Sequence, residues 1–519
     1  MYDERLDDVN AFNINLGVED YILKNIHDVH LVLLTGDAGD GKSRVLTNLK
    51  NHLDSTWNYV NDFSEFDEQK QKDCIENIYN ATANKNGKYI IAGNSGIFIN
   101  AVVQFKYELL IKLKNRENCL VLNFKNRNVA ESKNMFLKII TKFLDYNNYE
   151  KCRDCQLREK CPFLYNLEKM NTPEIIECIR ILFDALFLIG VHISFRDLLS
   201  LLSYFVTRGM DCSQLLYNKG EETKLYFFNN IFEYKGSNTI LSKLSEIDIK
   251  RKDINNFDYR VYHSNFLDND IEFNISNYGE MEKLKILKRY YYFTNPNMLK
   301  EPDESIYSLL PIENLTEYKD LIAKIKNVNY IDSMDNDDEI LRKFELGLNK
   351  ISNPNHSNAQ LVLFDSPPIT SKDVRIEYSS GQQLRLIFCI PRFYFTNGEL
   401  GKEEQELDDL NAFYCFVYGS DTFEKCPVIK IDYHLFNQIM LAQNNIFTDG
   451  NAKLSDNVHI QSFTKAIFDK IDTDYGVIIT WTGSKIRNIE DFNMSFIKPT
   501  NLGIKKDKKN KVLISSASR

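Results

Sequence analysis

A glycine-rich octapeptide, Gly36-Asp37-Ala38-Gly39-Asp40-Gly41-Lys42-Ser43, constrains the fold of this chain more than any other stretch. It follows an apolar, strand-like run, Leu31-Val32-Leu33-Leu34-Thr35, and precedes Arg44-Val45-Leu46-Thr47-Asn48-Leu49-Lys50, which suits a helix. A strand that ends in such a turn and reopens as a helix belongs in a parallel sheet with helices on both faces. The pattern G-x-x-x-x-G-K-[ST] also has a chemical reading. Glycines let backbone N–H groups turn inward around phosphates, the lysine reaches the β- and γ-phosphates, and the hydroxyl meets Mg2+. The emerging helix adds the positive end of its dipole. Gly36, Asp37, Ala38, Gly39, Asp40, Gly41, Lys42, Ser43 and Arg44 are the expected contacts of a nucleotide, with ATP and Mg2+ as the expected cofactors.

Residues 1–30 read as a helix packing on the first strand. Three more strands are expected, at Trp57–Asn61, Lys88–Gly93 and Cys119–Phe124, with helices at Phe98–Asn115 and Glu131–Leu144. In such a sheet a ligand sits outside the carboxyl ends of the strands. With 519 residues the chain exceeds a single core. The pattern divides it into a P-loop-type α/β domain at 1–150, a cysteine-containing and mostly helical region at 151–350, and a C-terminal α+β module at 351–519. The helical region includes Pro173–Leu188 and Arg196–Thr207. The module has strands expected at Gln360–Phe364, Asp373–Tyr378, Gln383–Ile390, Ala412–Tyr418, Val428–Ile431 and Tyr475–Trp481, and helices at Asp432–Ala442 and Ile460–Ile471.

A hydrolase of this kind needs a carboxylate near Mg2+, a group that polarises water and usually an arginine for the developing charge. Asp62, after the second strand, is the acidic candidate, although many such enzymes carry that acid on the third strand. The third strand here ends Ala92-Gly93-Asn94-Ser95-Gly96, without a carboxylate. Asn123 is a candidate sensor of the γ-phosphate and Arg127 a candidate charge stabiliser; each reads equally as a loop residue at a strand end. Arg196, opening a helix behind the N-cap candidate Ser194, is placed to read the γ-phosphate from a lid, or to pair with a surface carboxylate. Lys42 completes the catalytic set.

Cys152, Cys155 and Cys161 form a C-x2-C-x5-C cluster flanked by charges and Pro162. Thiolates at this spacing share one tetrahedral ion, with a fourth ligand from elsewhere. Cys212 is the first choice for that ligand and His192 the second. Zinc is the expected metal, with an iron–sulfur cluster as the alternative. The other cysteines read as packing residues.

The net charge of −9 excludes a chain that is polybasic throughout, so any DNA contact needs a local patch or a partner. Lys283–Arg289 and Lys505–Lys511 are the densest basic runs, and read either as phosphate contacts or as solvated faces. The apolar stretch Ile179–Ile193 is too short and too charged to span a bilayer. The start lacks a secretory pattern, and ten cysteines then point to the reducing cytoplasm with no membrane partner.

Taken in order, several motifs resemble the DptF-type P-loop proteins of DNA phosphorothioation-dependent restriction and related bacterial anti-phage defence. They are Gly36–Ser43, Val60-Asn61-Asp62-Phe63-Ser64-Glu65, Ala92-Gly93-Asn94-Ser95-Gly96 and Leu122-Asn123-Phe124-Lys125-Asn126-Arg127. The series continues through Cys152–Asn166, Ser194-Phe195-Arg196-Asp197-Leu198, Gly209–Cys212 and Tyr226–Phe232, with a weaker echo at Pro427–Asp432. The likeness covers about residues 30–300 well and the rest loosely. It implies an ATPase subunit acting with a helicase or nuclease partner on invading DNA, touched directly or through that partner; a homo-oligomer is compatible with it. Ser95 stands where the family pattern often has an acid, which favours nucleotide binding over fast hydrolysis. A sensor or scaffold with slow turnover is the competing reading.

Overall fold

The computed structural model describes residues 18–516 apart from 37–38, 86, 116–117, 125–127, 131–132, 146–151, 153–154, 156–157, 216–221, 235, 264–272, 274, 276, 334–337, 353–361, 365–373, 380–384, 391–410, 419–426, 447–458, 461, 464–465, 467–476, 482–501 and 507–511. It falls into two compact units, 1–187 with 191–311 and 188–190 with 312–519.

The first unit is built on a parallel sheet of β1 (Leu31–Thr35), β2 (Trp57–Val60), β3 (Lys88–Gly93) and β4 (Cys119–Asn123), ordered β2-β3-β1-β4. Alternation along the strands creates two cores. Val32, Leu34, Ile90 and Ala92 face one side, against Ile22 and Ile26 around α1 (Val18–Asn25) and Val45, Leu46 and Leu49 of α2 (Lys42–Lys50). Leu31, Leu33 and Ile91 face the other, against α3 (Glu68–Asn84), α4 (Ser95–Phe105) and α5 (Tyr107–Asn115), which supply Ile75, Ile78, Phe98, Val102 and Leu109. The expected α/β sheet with helices on both faces is therefore present. One helix was expected across 98–115 and two are found. Lys106 leaves helical geometry (φ −156°, ψ 77°) and sets its ammonium 4.4 Å from the Tyr79 ring centroid.

Helices α6 (Lys133–Leu144), α7 (Pro162–Met170), α8 (Pro173–Leu188), α9 (Phe195–Thr207), α10 (Cys212–Leu215), α11 (Phe227–Asn230), α12 (Thr239–Glu246), α13 (Asn255–His263) and α14 (Glu280–Thr294) complete this unit. Their core is rich in aromatic rings, with Phe227, Phe228, Phe273, Tyr290 and Phe293 meeting mostly edge to face. The described helices agree with the helical reading of this region.

The main segment of the second unit runs from Ile312, whereas the sequence pattern set its boundary at 350. The difference arises at β5 (Tyr330–Asp332), which pairs antiparallel with β8 (Arg385–Cys389) in a sheet ordered β10-β9-β8-β5, with β9 (Ala412–Tyr418) and β10 (Val428–Asp432). Helices α15 (Leu315–Val328), α16 (Glu339–Ser352) and Tyr433–Gln443 belong to this unit. Tyr318 and Phe436, with Phe344, pack against Phe388 and Phe413 of the sheet. Further strands pair β11 (Val477–Trp481) with β7 (Val374–Ser379), β7 with β6 (Val362–Phe364), and β12 (Leu502–Lys506) with β13 (Val512–Ser516). Most of the helix expected at Ile460–Ile471, and Cys426, lie outside the described residues. No helix among the described residues is long and apolar enough to cross a membrane.

Candidate functional site

The carboxyl edge of the parallel sheet collects the residues singled out in the sequence. Thr35, Gly93 and Asn123 end their strands on one level, since Thr35 pairs with both of the others. Val60 pairs with Ile91, so Asp62, in extended backbone two residues later, comes level with Gly93. Asp62 follows the second strand, which is not the neighbour of β1. β3 intervenes between β1 and β2, so the acid lies about 10 Å across the sheet edge from β1.

Beyond Thr35 the chain turns through Gly36, Gly39 and Gly41, all at positive φ (150°, 94° and 89°). Gly41 is the N-cap of α2, and its carbonyl accepts the first helical hydrogen bond, from Val45 N at 3.0 Å. Lys42 and Ser43 therefore occupy the first two helical positions. Backbone N–H groups in the first turn of a helix point out of its N-terminus, an arrangement suited to an anion. Burial lowers the Arg44 pKa, and the charge of buried Glu19, which also accepts a 2.8 Å bond from Asn48, works against that shift. Asp37, Ala38 and Arg127 lie outside the described residues.

Asp62 belongs to a small polar cluster. Its Oδ1 accepts from Ser64 N at 2.8 Å, Ser64 Oγ accepts from Asn94 N at 2.9 Å, and Asn94 Oδ1 caps α4 through Gly96 N at 2.9 Å. Gly93 makes this possible, because a Cβ there would lie 3.0 Å from Phe63 Cβ. Ser95 is the first residue of α4, and Asn123 is exposed at the end of β4.

The helical region supplies a fourth side to the turn. Ser194 and Asp197 form a reciprocal capping box at the start of α9: Asp197 N donates to Ser194 Oγ, and Ser194 N donates to Asp197 Oδ2. This N-terminus abuts the glycine turn. Arg196 N donates to Gly39 O at 3.3 Å, and a Cβ on Gly39 would lie 3.1 Å from both Ser194 Oγ and Arg196 Cβ. Just upstream, Val129 N donates to Ile193 O, and Asn128 Nδ2 to Val191 O, which anchors the segment behind β4. Arg196 thus stands beside the turn, 153 positions or more away in sequence from any residue of the octapeptide.

The cysteines gather at a second place. Cys161 is the N-cap of α7, and Cys212 opens α10 behind the capping residue Asp211. Buried Asn166 ties α7 to the end of α9 and to the segment before α11. Its Nδ2 donates to Val206 O and Leu225 O, each at 2.8 Å, and its Oδ1 accepts from Phe227 N. Burial, followed by the neighbouring Cys212, Cys161 and Cys155, raises the Cys152 thiol; burial, then Cys161 and Cys155, raises Cys212. Cys152 and Cys212 thus have Cys161 and Cys155 as common neighbours. They do not converge on one point: among the described residues no group of three or more His, Cys, Asp or Glu side chains is arranged to hold a metal ion.

Two expectations are corrected. His192, the second choice for a metal ligand, faces Asp40 of the glycine turn instead, Nε2 to Oδ1 at 3.5 Å. The run Lys283–Arg289 is not a phosphate-binding face, because α14 turns most of it inward. Arg289 is fully buried and bonded to Asp248, Asn229 and Glu233; Lys288 is buried on Asp258; Lys285 pairs with Glu233 and Glu282. A basic run with helical spacing looks the same in sequence whether its carboxylate partners lie in water or in the core. Comparison with family models, curated proteins and solved structures finds no match for this chain.

Proposed function

We propose that this chain is an ATP-binding and ATP-hydrolysing subunit of a DptF-type bacterial anti-phage complex, acting in the cytoplasm with a helicase or nuclease partner on DNA. The observation that carries the nucleotide reading is the glycine turn itself. It runs from the end of a central parallel strand into the N-terminus of α2, with Lys42 and Ser43 at the first helical positions and Arg196 beside it. In this reading the backbone of Gly36–Ser43 and Lys42 hold the phosphates. Ser43 and Asp62 serve Mg2+, Asn123 senses the γ-phosphate, Arg127 stabilises the developing charge, and Arg196 reports on the γ-phosphate. The cysteine cluster holds zinc as a structural element, and the defence role rests on the order of the motifs alone.

A second reading, a nucleotide-dependent sensor or scaffold with little turnover, is favoured by two features. One Asp62 oxygen is already engaged by Ser64 N, and Ser95 brings no acid to the neighbouring strand end. Single-turnover hydrolysis separates the two. The ATPase reading expects Lys42→Ala to slow the wild-type rate about a hundredfold, the size of loss typical of a charge-stabilising group. A wild type that binds ATP but hydrolyses it no faster than the variant is a sensor. A wild type that binds no ATP ends both readings.

A further inference from the structure

The glycine turn carries a residue that phosphate binding does not call for. Asp40 adds a negative charge to a loop whose work is to receive a polyanion, and like charges at close range repel. Asp40 is not released to water either, since its side chain is 1% exposed. A buried carboxylate requires hydrogen bonds and a counter-charge to remain ionised. One group facing it is His192, whose Nε2 lies 3.5 Å from Oδ1 while the side chain is partly open to solvent.

His192 is not a wandering surface residue. The chain on either side is fixed by Asn128 Nδ2 to Val191 O (2.7 Å), by Val129 N to Ile193 O (3.1 Å) and by the Ser194–Asp197 capping box. Four residues on from His192, Arg196 N bonds to Gly39 O, the carbonyl immediately before Asp40. The imidazole is therefore presented to the turn at a fixed place, on the same short segment that carries Arg196.

We propose that His192 is a positioning residue for the nucleotide site. It faces the Asp40 carboxylate on the α9 side of the turn and, in its protonated form, offsets its repulsion of the incoming phosphates. The proposal rests on the reading of Gly36–Ser43 as a nucleotide site. It makes a demand that a merely structural histidine does not: once the Asp40 charge is gone, His192 is no longer needed.

The test is titration of the full-length protein with a fluorescent N-methylanthraniloyl ATP, with Lys42→Ala as the control for site-specific binding. His192→Ala is expected to weaken binding about tenfold, the scale of coupling between contacting polar groups. Asp40→Asn is expected to tighten it, and Asp40→Asn with His192→Ala to bind as Asp40→Asn alone, within about twofold. His192→Gln, which keeps a donor and disturbs packing less, is expected to fall between wild type and His192→Ala, and to have no effect in the Asp40→Asn background. If either His192 variant binds as wild type does, or if the double variants stay as weak as the single ones, the proposal is overturned while the nucleotide site stands. If wild type and Lys42→Ala alike fail to bind, the nucleotide reading falls and takes this proposal with it.

Discussion

Gly39 meets two demands that no other residue type satisfies together. Its φ of +94° lies where L-residues are strained, and its missing side chain leaves room for Ser194 and Arg196. A Cβ would stand 3.1 Å from atoms of both, and one of them, Arg196 Cβ, is fixed close to the helix backbone. Gly39→Ala should therefore push α9 off the turn. We expect a stability loss of about 1–3 kcal/mol and weaker nucleotide binding, read by thermal unfolding and by titration. A variant that unfolds and binds as wild type does would mean that the contact is slack. The need for glycine was legible in the sequence, because the motif specifies where the backbone must turn. Its contacts were not. Asp40 and His192 are 152 positions apart, and no local periodicity records which distant segment arrives at a turn. His192 consequently read as a metal-ligand candidate, the role suggested by its residue type rather than by its place.

At the level of elements, short helices bring the cysteines together. Cys161 and Cys212 each sit at a helix start, and Asn166 bonds across to the end of α9 and to the loop before α11. The sequence supplied the ligand types and, through its spacing, three of the four positions. The fourth was a choice between Cys212, which neighbours Cys161 and Cys155, and His192, which faces Asp40 instead. Zinc takes tetrahedral sulfur sets, and in the proposed reading it would draw these thiols onto one ion. Purified protein is expected to carry about one equivalent of zinc, lost in a Cys152→Ser/Cys155→Ser variant. Visible absorption in place of zinc would assign an iron–sulfur cluster, and wild-type protein without any metal would remove the site. The same scale explains the misread basic run. Helical periodicity in α14 showed which residues share a face, but charge alone does not say which face is inside.

Across the whole molecule, the order of the parallel sheet was the least legible feature and the most consequential for function. The strands of the first unit were placed nearly residue for residue, because apolar runs bounded by turns are local signals. That β3 lies between β1 and β2 is a long-range fact, and it gives Asp62 its place at the sheet edge. In the same way β5 joins its sheet from before the expected boundary, since three residues carry too little pattern to announce a strand. The first unit also contains an ionic centre that ties its stability to pH. Burial alone would raise the Glu233 carboxyl, but hydrogen bonds and charges from Lys285 and Arg289 outweigh it and hold the pKa at about 2, against an ordinary 4.5. A depressed carboxylate contributes stability that is present above its unfolded pKa and lost as pH falls through the folded one. The window is therefore about pH 4.5 down to about 2, and the difference corresponds to at most about 3 kcal/mol. Thermal unfolding of the full chain should show this as a loss on acidification that is smaller in Glu233→Gln, which cannot titrate. At neutral pH that variant should itself be less stable, because Arg289, fully buried, keeps Asp248 but loses its second carboxylate. Equal acid sensitivity in the two proteins would place the pH dependence elsewhere in the molecule.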